Sequence, residues 1–494
     1  VPIRSFAATV GHRLLHQREL GFLGSLIVVI GSWSAGAVPA ATPGSAIALL
    51  RHPDAGLVAV YFGVILLLGA WIRLGRDLAA GARVTLHGTV VTFGWWAAPL
   101  LAGPAMFSRD VYSYLAQGAT VLAGADVYTA GVAGLGGPLA AEVPAMWLHS
   151  PPPYGPLAIG LSVIVAAVTG KQVMLGVLGM RLVALLGVGL LLRFLPELAR
   201  HCGVSPVGAV WLAVLNPLAL LHLVGGAHND AVMLGLLVAG LTLALRGGHP
   251  VLAPALITGA GLVKVPALAG LLVCVWLWRK LPTRGEQAWT ALRTAAVVAT
   301  TTLGVTALVG TGFGWIGLLG SPVSAQSWSL SSAVGRLARN VLTATGSAYA
   351  ASAIPATRWL FLALFVVSIA ALWLLRHWLG PVLAIGLGLG AFALLGPVTR
   401  PWYALWGVVI VAAASAHPVL RWWCAGISAG LALLVLPSGF GPDGTQLRLA
   451  AGGVALATAL FAAAAPLSRF AAKRGFARDN NHALLQNVTP AVLR

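Results

Sequence analysis

Charge is what this sequence has least of. Only 8% of its 494 residues are Asp, Glu, Lys or Arg, against roughly 25% in a soluble domain, and no soluble fold hides the 59% that are hydrophobic. Cysteine is scarcer still. Cys202, Cys274 and Cys424 are the three, and none sits in a CxxC or a Cys/His cluster, which argues against a disulfide framework or a zinc site. No GxGxxG follows a strand-like run, so nothing suggests a nucleotide-binding Rossmann domain. The 11 acids are outnumbered by 30 Lys and Arg. Those cations are scattered singly or in pairs between apolar runs, a spacing that reflects membrane topology and argues against a nucleic-acid partner.

What the chain does have is apolar length, with 61 Gly, 29 Pro and 18 Trp. That composition belongs to an all-α polytopic membrane protein. Apolar runs fall near residues 20–38, 56–73, 86–105, 174–194, 206–224, 231–246, 250–264, 266–278, 294–316, 358–375, 380–398, 403–418, 422–437 and 448–467. A further piece, 156–169, decides the topology. Counted as a span, it would put Arg193, Arg200, Arg279, Lys280, Arg284 and Arg293 outside, against the positive-inside rule. Taken as a short interfacial helix, it leaves about 14 spans and both termini cytoplasmic. The basic tail Arg469, Lys473, Arg474 and Arg478 then lies inside.

The expected organisation is 1–105 for the cytoplasmic start and first three spans, 106–173 for an outer loop with interfacial helices, and 174–316 for a central bundle. A second outer loop at 317–357, carrying Trp328, Arg336, Arg339 and Tyr349, is followed by terminal spans at 358–468 and a tail at 469–494. In this topology Asp54, Asp110, Asp126, Glu142, Asp230 and Asp443 lie outside, and the other five acids lie inside. None is at mid-membrane, where an ion-coupled transporter keeps ionisable groups. Chemistry is therefore expected at the outer face.

Five motifs converge there. Phe107-Ser-Arg-Asp-Val-Tyr-Ser-Tyr114 offers Asp110 beside Arg109 at the start of a helix with aromatics on one side. His149-Ser-Pro-Pro-Pro-Tyr-Gly-Pro156 is stiffened by proline and carries Tyr154. Gly225-Gly-Ala-His-Asn-Asp230 is a polar break between apolar runs. Lys264-Val-Pro266 places a cation between short helices, and Arg400-Pro-Trp-Tyr403 opens a span.

Carboxylates, cations and aromatic faces are what sugar transfer from a phosphate-linked lipid requires. A carboxylate takes the proton of the attacking hydroxyl, cations offset the charge growing on the departing phosphate, and aromatic rings suit the CH faces of a sugar. Each residue also has a plainer account. Asp110 and Asp230 could cap helices, Lys264 could snorkel, Arg109 could pair with lipid headgroups, and Tyr112, Tyr114, Tyr154, Trp402 and Tyr403 could belong to an interfacial belt. A lipid-linked sugar flippase is the competing function. It calls for polar groups along a transbilayer path, whereas the acids here group at one face.

With those residues in view, the chain resembles the GT-C glycosyltransferases, and among them the actinobacterial polyprenol-phosphomannose-dependent α-1,6-mannosyltransferases that build the mannan backbone of lipomannan and lipoarabinomannan. The stretches that carry the resemblance are Ser108-Arg-Asp-Val-Tyr-Ser-Tyr-Leu-Ala-Gln-Gly118, Tyr154-Gly-Pro-Leu157, Asn216-Pro217, His228-Asn-Asp230, Lys264-Val-Pro266 and Pro401-Trp-Tyr403. The resemblance implies a GT-C fold in the plasma membrane with its active site outside, and inverting transfer from polyprenyl-phosphate mannose to a mannosylated glycolipid acceptor. Asp110 would be the base. Arg109, Lys264 and Arg400 would hold the donor phosphate, and Tyr112, Tyr114, Tyr154, His228, Asn229, Asp230, Trp402 and Tyr403 would line the sugar sites. A single Asp preceded by Arg, in place of an Asp-x-Asp pair, argues against an obligatory metal. A GT-C enzyme using another polyprenyl-phosphate sugar, such as arabinose, remains open.

Overall fold

The computed structural model describes residues 2–39, 52–320, 327 and 329–464. Trp328 and the basic tail at 469–478 lie outside the described residues. Among the described residues the chain is helical, apart from one isolated antiparallel bridge between Ala37 and Ala105. This is the outcome that hydrocarbon dictates, since a helix satisfies its own backbone hydrogen bonds without water.

The main helices are α1 (Pro2–Ala35), α2 (Pro53–Ala79), α3 (Leu86–Leu101), α4 (Asp110–Leu122), α5 (Pro156–Val168), α6 (Val173–His201), α7 (Pro206–Ala213), α8 (Asp230–Arg246) and α9 (Leu252–Val263). They continue as α10 (Leu271–Trp278), α11 (Arg284–Val309), α12 (Leu330–Ala344), α13 (Ala353–Leu374), α14 (Pro381–Leu395), α15 (Ala404–Ala414), α16 (Pro418–Leu431) and α17 (Gly444–Ala464).

By length and composition, five described helices can cross a membrane: Pro53–Ala79, Val173–His201, Arg284–Val309, Ala348–Leu374 and Gly444–Ala464. A sixth span forms if α7 and the Pro217–Gly225 segment are taken together across their 51° bend. The bend falls at Asn216-Pro217. Pro217 cannot continue the hydrogen-bond ladder, and Asn216 repairs the break by accepting from Leu218 N at 3.0 Å and donating to Leu212 O at 3.1 Å. The sequence piece at 156–169 becomes α5, whose 13 residues rise about 20 Å, short of the roughly 30 Å hydrocarbon core.

Helices approach closely where glycine removes a side chain, the usual device when lipid offers no hydrophobic drive to association. Gly24 of α1 and Gly63 of α2 face one another so tightly that a Cβ on either would sit within 2.8 Å of the other's carbonyl oxygen. Between α6 and α8, a Cβ on Gly187 would stand 2.3 Å from the Ala231 carbonyl. In the deepest core Trp71 and Trp211 stack at 5.2 Å, and each indole donates to the other's backbone carbonyl, at 2.8 and 2.9 Å. Polar edges of buried indoles are thereby satisfied.

The crossing of α6 and α8 sets the height of Asp230, the residue before Ala231. Gly187→Leu should therefore lower stability by about 1–3 kcal/mol, the range for overpacking. Gly189→Leu, where no heavy atom lies within 4 Å of a built Cβ, should leave it unchanged. Thermal melts in detergent compare the two.

Candidate active site

Asp110 is the first residue of α4 and follows a tightly folded approach. Phe107 adopts a positive φ of 61°, its N–H donates to Pro437 O at 2.9 Å, and Ser108 Oγ accepts from Asp110 N at 3.0 Å. The carboxylate sits at the positive end of the helix dipole with 22% of its side chain exposed. A cavity of about 110 Å³ opens beside it. Arg109 and Arg400 line that cavity together with Trp147, Trp402 and Phe440, and the Arg400 guanidinium lies 5.4 Å over the Trp147 ring. Arg109 also reaches Glu142 at 3.6 Å.

Deeper in, His228 Nδ1 stands 3.7 Å from Asp110 Oδ2 and 3.3 Å from the Tyr114 hydroxyl, and its ring stacks on Trp402 at 3.9 Å. Burial pushes the His228 pKa down to about 3, so the imidazole is neutral and its contact with Asp110 is no ion pair. Tyr114 packs edge-on against Tyr154 at 5.3 Å. Asn229 is buried beside His228 with its side-chain oxygen lacking a hydrogen-bond donor.

The structure revises two expectations. Lys264 and Asp230 were expected as separate site groups. The Lys264 ammonium instead donates to Asp230 Oδ2 at 2.7 Å, with both side chains buried, and Trp406 Nε1 donates to the other carboxylate oxygen at 2.6 Å. Around the ammonium stand the rings of Tyr403 at 4.7 Å, Tyr154 at 5.4 Å and Trp406 at 5.6 Å. A charge drawn into an apolar interior requires such a partner, and Lys264 is not among the residues lining the cavity. Tyr112 is the second revision. It is fully buried and its hydroxyl donates to Ala37 O, so it packs α4 against the segment that follows α1 and does not line the cavity.

Several groups in the site carry no signal in the motifs. Glu142, Trp147 and the 437–441 turn come from short turns and single-turn helices without a sequence pattern. Gly439 in that turn has φ +89°, and a Cβ there would meet Ser108 Cα at 3.0 Å. Trp406 was readable, because it follows Trp402 by four residues and so shares its helical face. Arg181 was readable too, as a charge in the interior of the apolar run 174–194, whose other charge, Arg193, stands at its end. Among the described residues no three metal-ligating side chains come together.

Residues 18–280 match the family described as alpha-(1->6)-mannopyranosyltransferase, N-terminal domain, and residues 331–467 match the MptB C-terminal domain. A probable alpha-(1->6)-mannopyranosyltransferase of Mycolicibacterium smegmatis is 33% identical over 89% of this chain and 85% of its own length. The chain belongs to the alpha-(1->6)-mannopyranosyltransferase family. Within that family, a Mycobacterium tuberculosis alpha-(1->6)-mannopyranosyltransferase is 32% identical over 90% of this chain and 85% of its own length. Alpha-(1->6)-mannopyranosyltransferase B of Corynebacterium glutamicum is 33% identical over 88% and 79% respectively. No solved structure matches the chain. Membership of this mannosyltransferase family makes the chain a glycosyltransferase, and the Asp110 cavity is its candidate active site.

The buried pair yields a stability prediction. Lys264→Ala strands the Asp230 charge and should cost about 3–5 kcal/mol, whereas Lys264→Met with Asp230→Leu, which removes both charges, should recover most of that loss. Denaturant titration of the purified variants measures the difference. A second prediction concerns pH. His228 is held neutral in the fold but protonates near 6.5 when unfolded, so its contribution is complete above pH 6.5 and is lost as pH falls from there toward 3. The loss approaches about 1.4 kcal/mol per pH unit, and melts of His228→Gln should show a shallower decline over that window.

Proposed function

We propose that the chain is an inverting α-1,6-mannosyltransferase that moves mannose from polyprenyl-phosphate mannose to an α-mannoside on a glycolipid, in the building of a lipomannan or lipoarabinomannan backbone. The observation that carries this reading is the Asp110 cavity, which joins one partly exposed carboxylate to two guanidiniums and indole walls. The reading places the cavity at the outer face of the plasma membrane, in a GT-C fold of about 14 spans with cytoplasmic termini.

The acceptor's 6-hydroxyl attacks the anomeric carbon from the face opposite the phosphate. Asp110 takes the hydroxyl proton, the bond from the anomeric carbon to the phosphate oxygen breaks, and the configuration inverts. Arg109 and Arg400 meet the charge that grows on the leaving polyprenyl phosphate, a preorganised electrostatic contribution that is commonly the largest in such reactions. Trp402 and Trp147 present aromatic surface to the sugars, while Tyr403, Tyr114, Tyr154 and Asn229 pack behind that wall and His228 stands against the carboxylate. No step calls for a metal.

Purified protein incubated with labelled polyprenyl-phosphate mannose and a short α-1,6-mannoside should yield an extended product, with a new α-1,6 bond on linkage analysis. Asp110→Asn should lower turnover by about 10²- to 10⁴-fold, and chelation of divalent cations should leave it unchanged. Wild-type protein that makes no product, or an Asp110→Asn enzyme near wild-type rate, overturns the reading.

A further inference from the structure

Arg181 lies on α6, nine residues into a membrane-crossing helix, where a guanidinium costs about 2.5–3.5 kcal/mol by insertion scales. It is 1% exposed. Among the described residues its bonds go to backbone carbonyls and none to a carboxylate. One terminal nitrogen donates to Leu101 O at 3.1 Å and Gly103 O at 2.6 Å, and the other donates to Pro104 O and to Gly225 O at 2.9 Å.

Those carbonyls belong to two segments with the same peculiarity. The first leads through Phe107 to Asp110, and the second leads through Ala227 to His228 and Asp230. Phe107 and Ala227 both hold a positive φ, 61° and 54°. Such conformations cost about 1–3 kcal/mol each in residues other than glycine and persist only when the surroundings enforce them. Arg181 grips the chain three residues before Phe107 and two before Ala227. The two segments also touch: a Cβ on Gly226 would meet Met106 O at 3.2 Å.

We infer that Arg181 is a positioning residue of the transfer reaction, whose guanidinium sets the separation between Asp110 and His228 by holding both strained segments in one rigid fork. The inference rests on Asp110 being the base. Arginine suits the task because its planar donors point in fixed directions, while a lysine ammonium cannot reach two segments with the same geometry. Displacing a catalytic group by about 1 Å costs on the order of 10²-fold in rate.

The test uses full-length protein in lipid nanodiscs. Arg181→Lys and Arg181→Met should each lower kcat per folded molecule on the order of 10²-fold, with lysine the milder, while the donor KM stays within about twofold because Arg109 and Arg400 are untouched. A kcat per folded molecule within twofold of wild type overturns the inference, as does a loss that only follows the folded fraction. Asp110→Asn run in parallel separates the two readings. A crippled Asp110→Asn beside a normal Arg181→Lys overturns this inference alone, and an active Asp110→Asn overturns both. Should neither Arg181 variant fold, hydrogen exchange of the wild type decides. Amides 105–107 and 226–229 should exchange at one common rate, slower than the exposed turn at 124–126, and unequal rates overturn the proposal.

Discussion

A charge buried among apolar helices has to find its counterpart within the chain, because neither lipid nor neighbouring side chains will solvate it. Two such charges organise this protein. Lys264, at the end of α9, is neutralised by Asp230 at the start of α8, and the same carboxylate accepts the indole of Trp406 on α15. Two consecutive helices and a third far along the chain thus meet at one side chain. Arg181 solves the same problem with backbone carbonyls in place of an acid. In both places the electrostatic requirement fixes the position of loops that carry the site, so neutralisation and site geometry share the same bonds.

The scarcity of acids made much of the site legible, and the structure shows why. Five acids have a structural task that accounts for them. Asp126 and Asp443 accept from backbone N–H groups just ahead in the chain, Glu286 completes a capping box, Glu197 pairs with Arg193 and Arg246, and Asp77 accepts from Gln17. Of the others, Glu19 and Asp54 are exposed and Asp479 lies outside the described residues, while Asp110, Glu142 and Asp230 stand beside site groups. Sequence position singled out Asp110 and Asp230 because each opens a helix after a polar break. It missed Glu142, which sits in a loop without periodicity. It also read Lys264 and Asp230 as independent, since a separation of 34 positions hides a contact that only the packing of α8 against α9 creates. Tyr112 shows the limit of a face-by-spacing argument. It shares α4 with Tyr114, yet two residues of helix turn it toward Ala37.

Helix positions followed from composition with less ambiguity. The apolar runs overlap helices, although the helices of 294–316 and 422–437 end early, at Val309 and Leu431, and Pro156, Pro217 and Pro401 each open a new element, as an imino acid without an N–H does most easily. Asn216-Pro217 figured among the stretches that carry the resemblance, but the run 206–224 was read as unbroken, and the bend there emerges only in the structure.

The tight turn at 437–441 has a consequence for the order in which the enzyme becomes complete. Gly439 lies against Ser108 and Arg109, Pro437 receives the Phe107 N–H, and Phe440 forms part of the cavity wall. Chains are made from the N-terminus and fold as they emerge, so the acid enters the membrane more than 300 residues before the turn that shapes its surroundings. For most of its synthesis the chain carries the carboxylate without the cavity. The candidate site is therefore closed late, once the turn at 437–441 has been made.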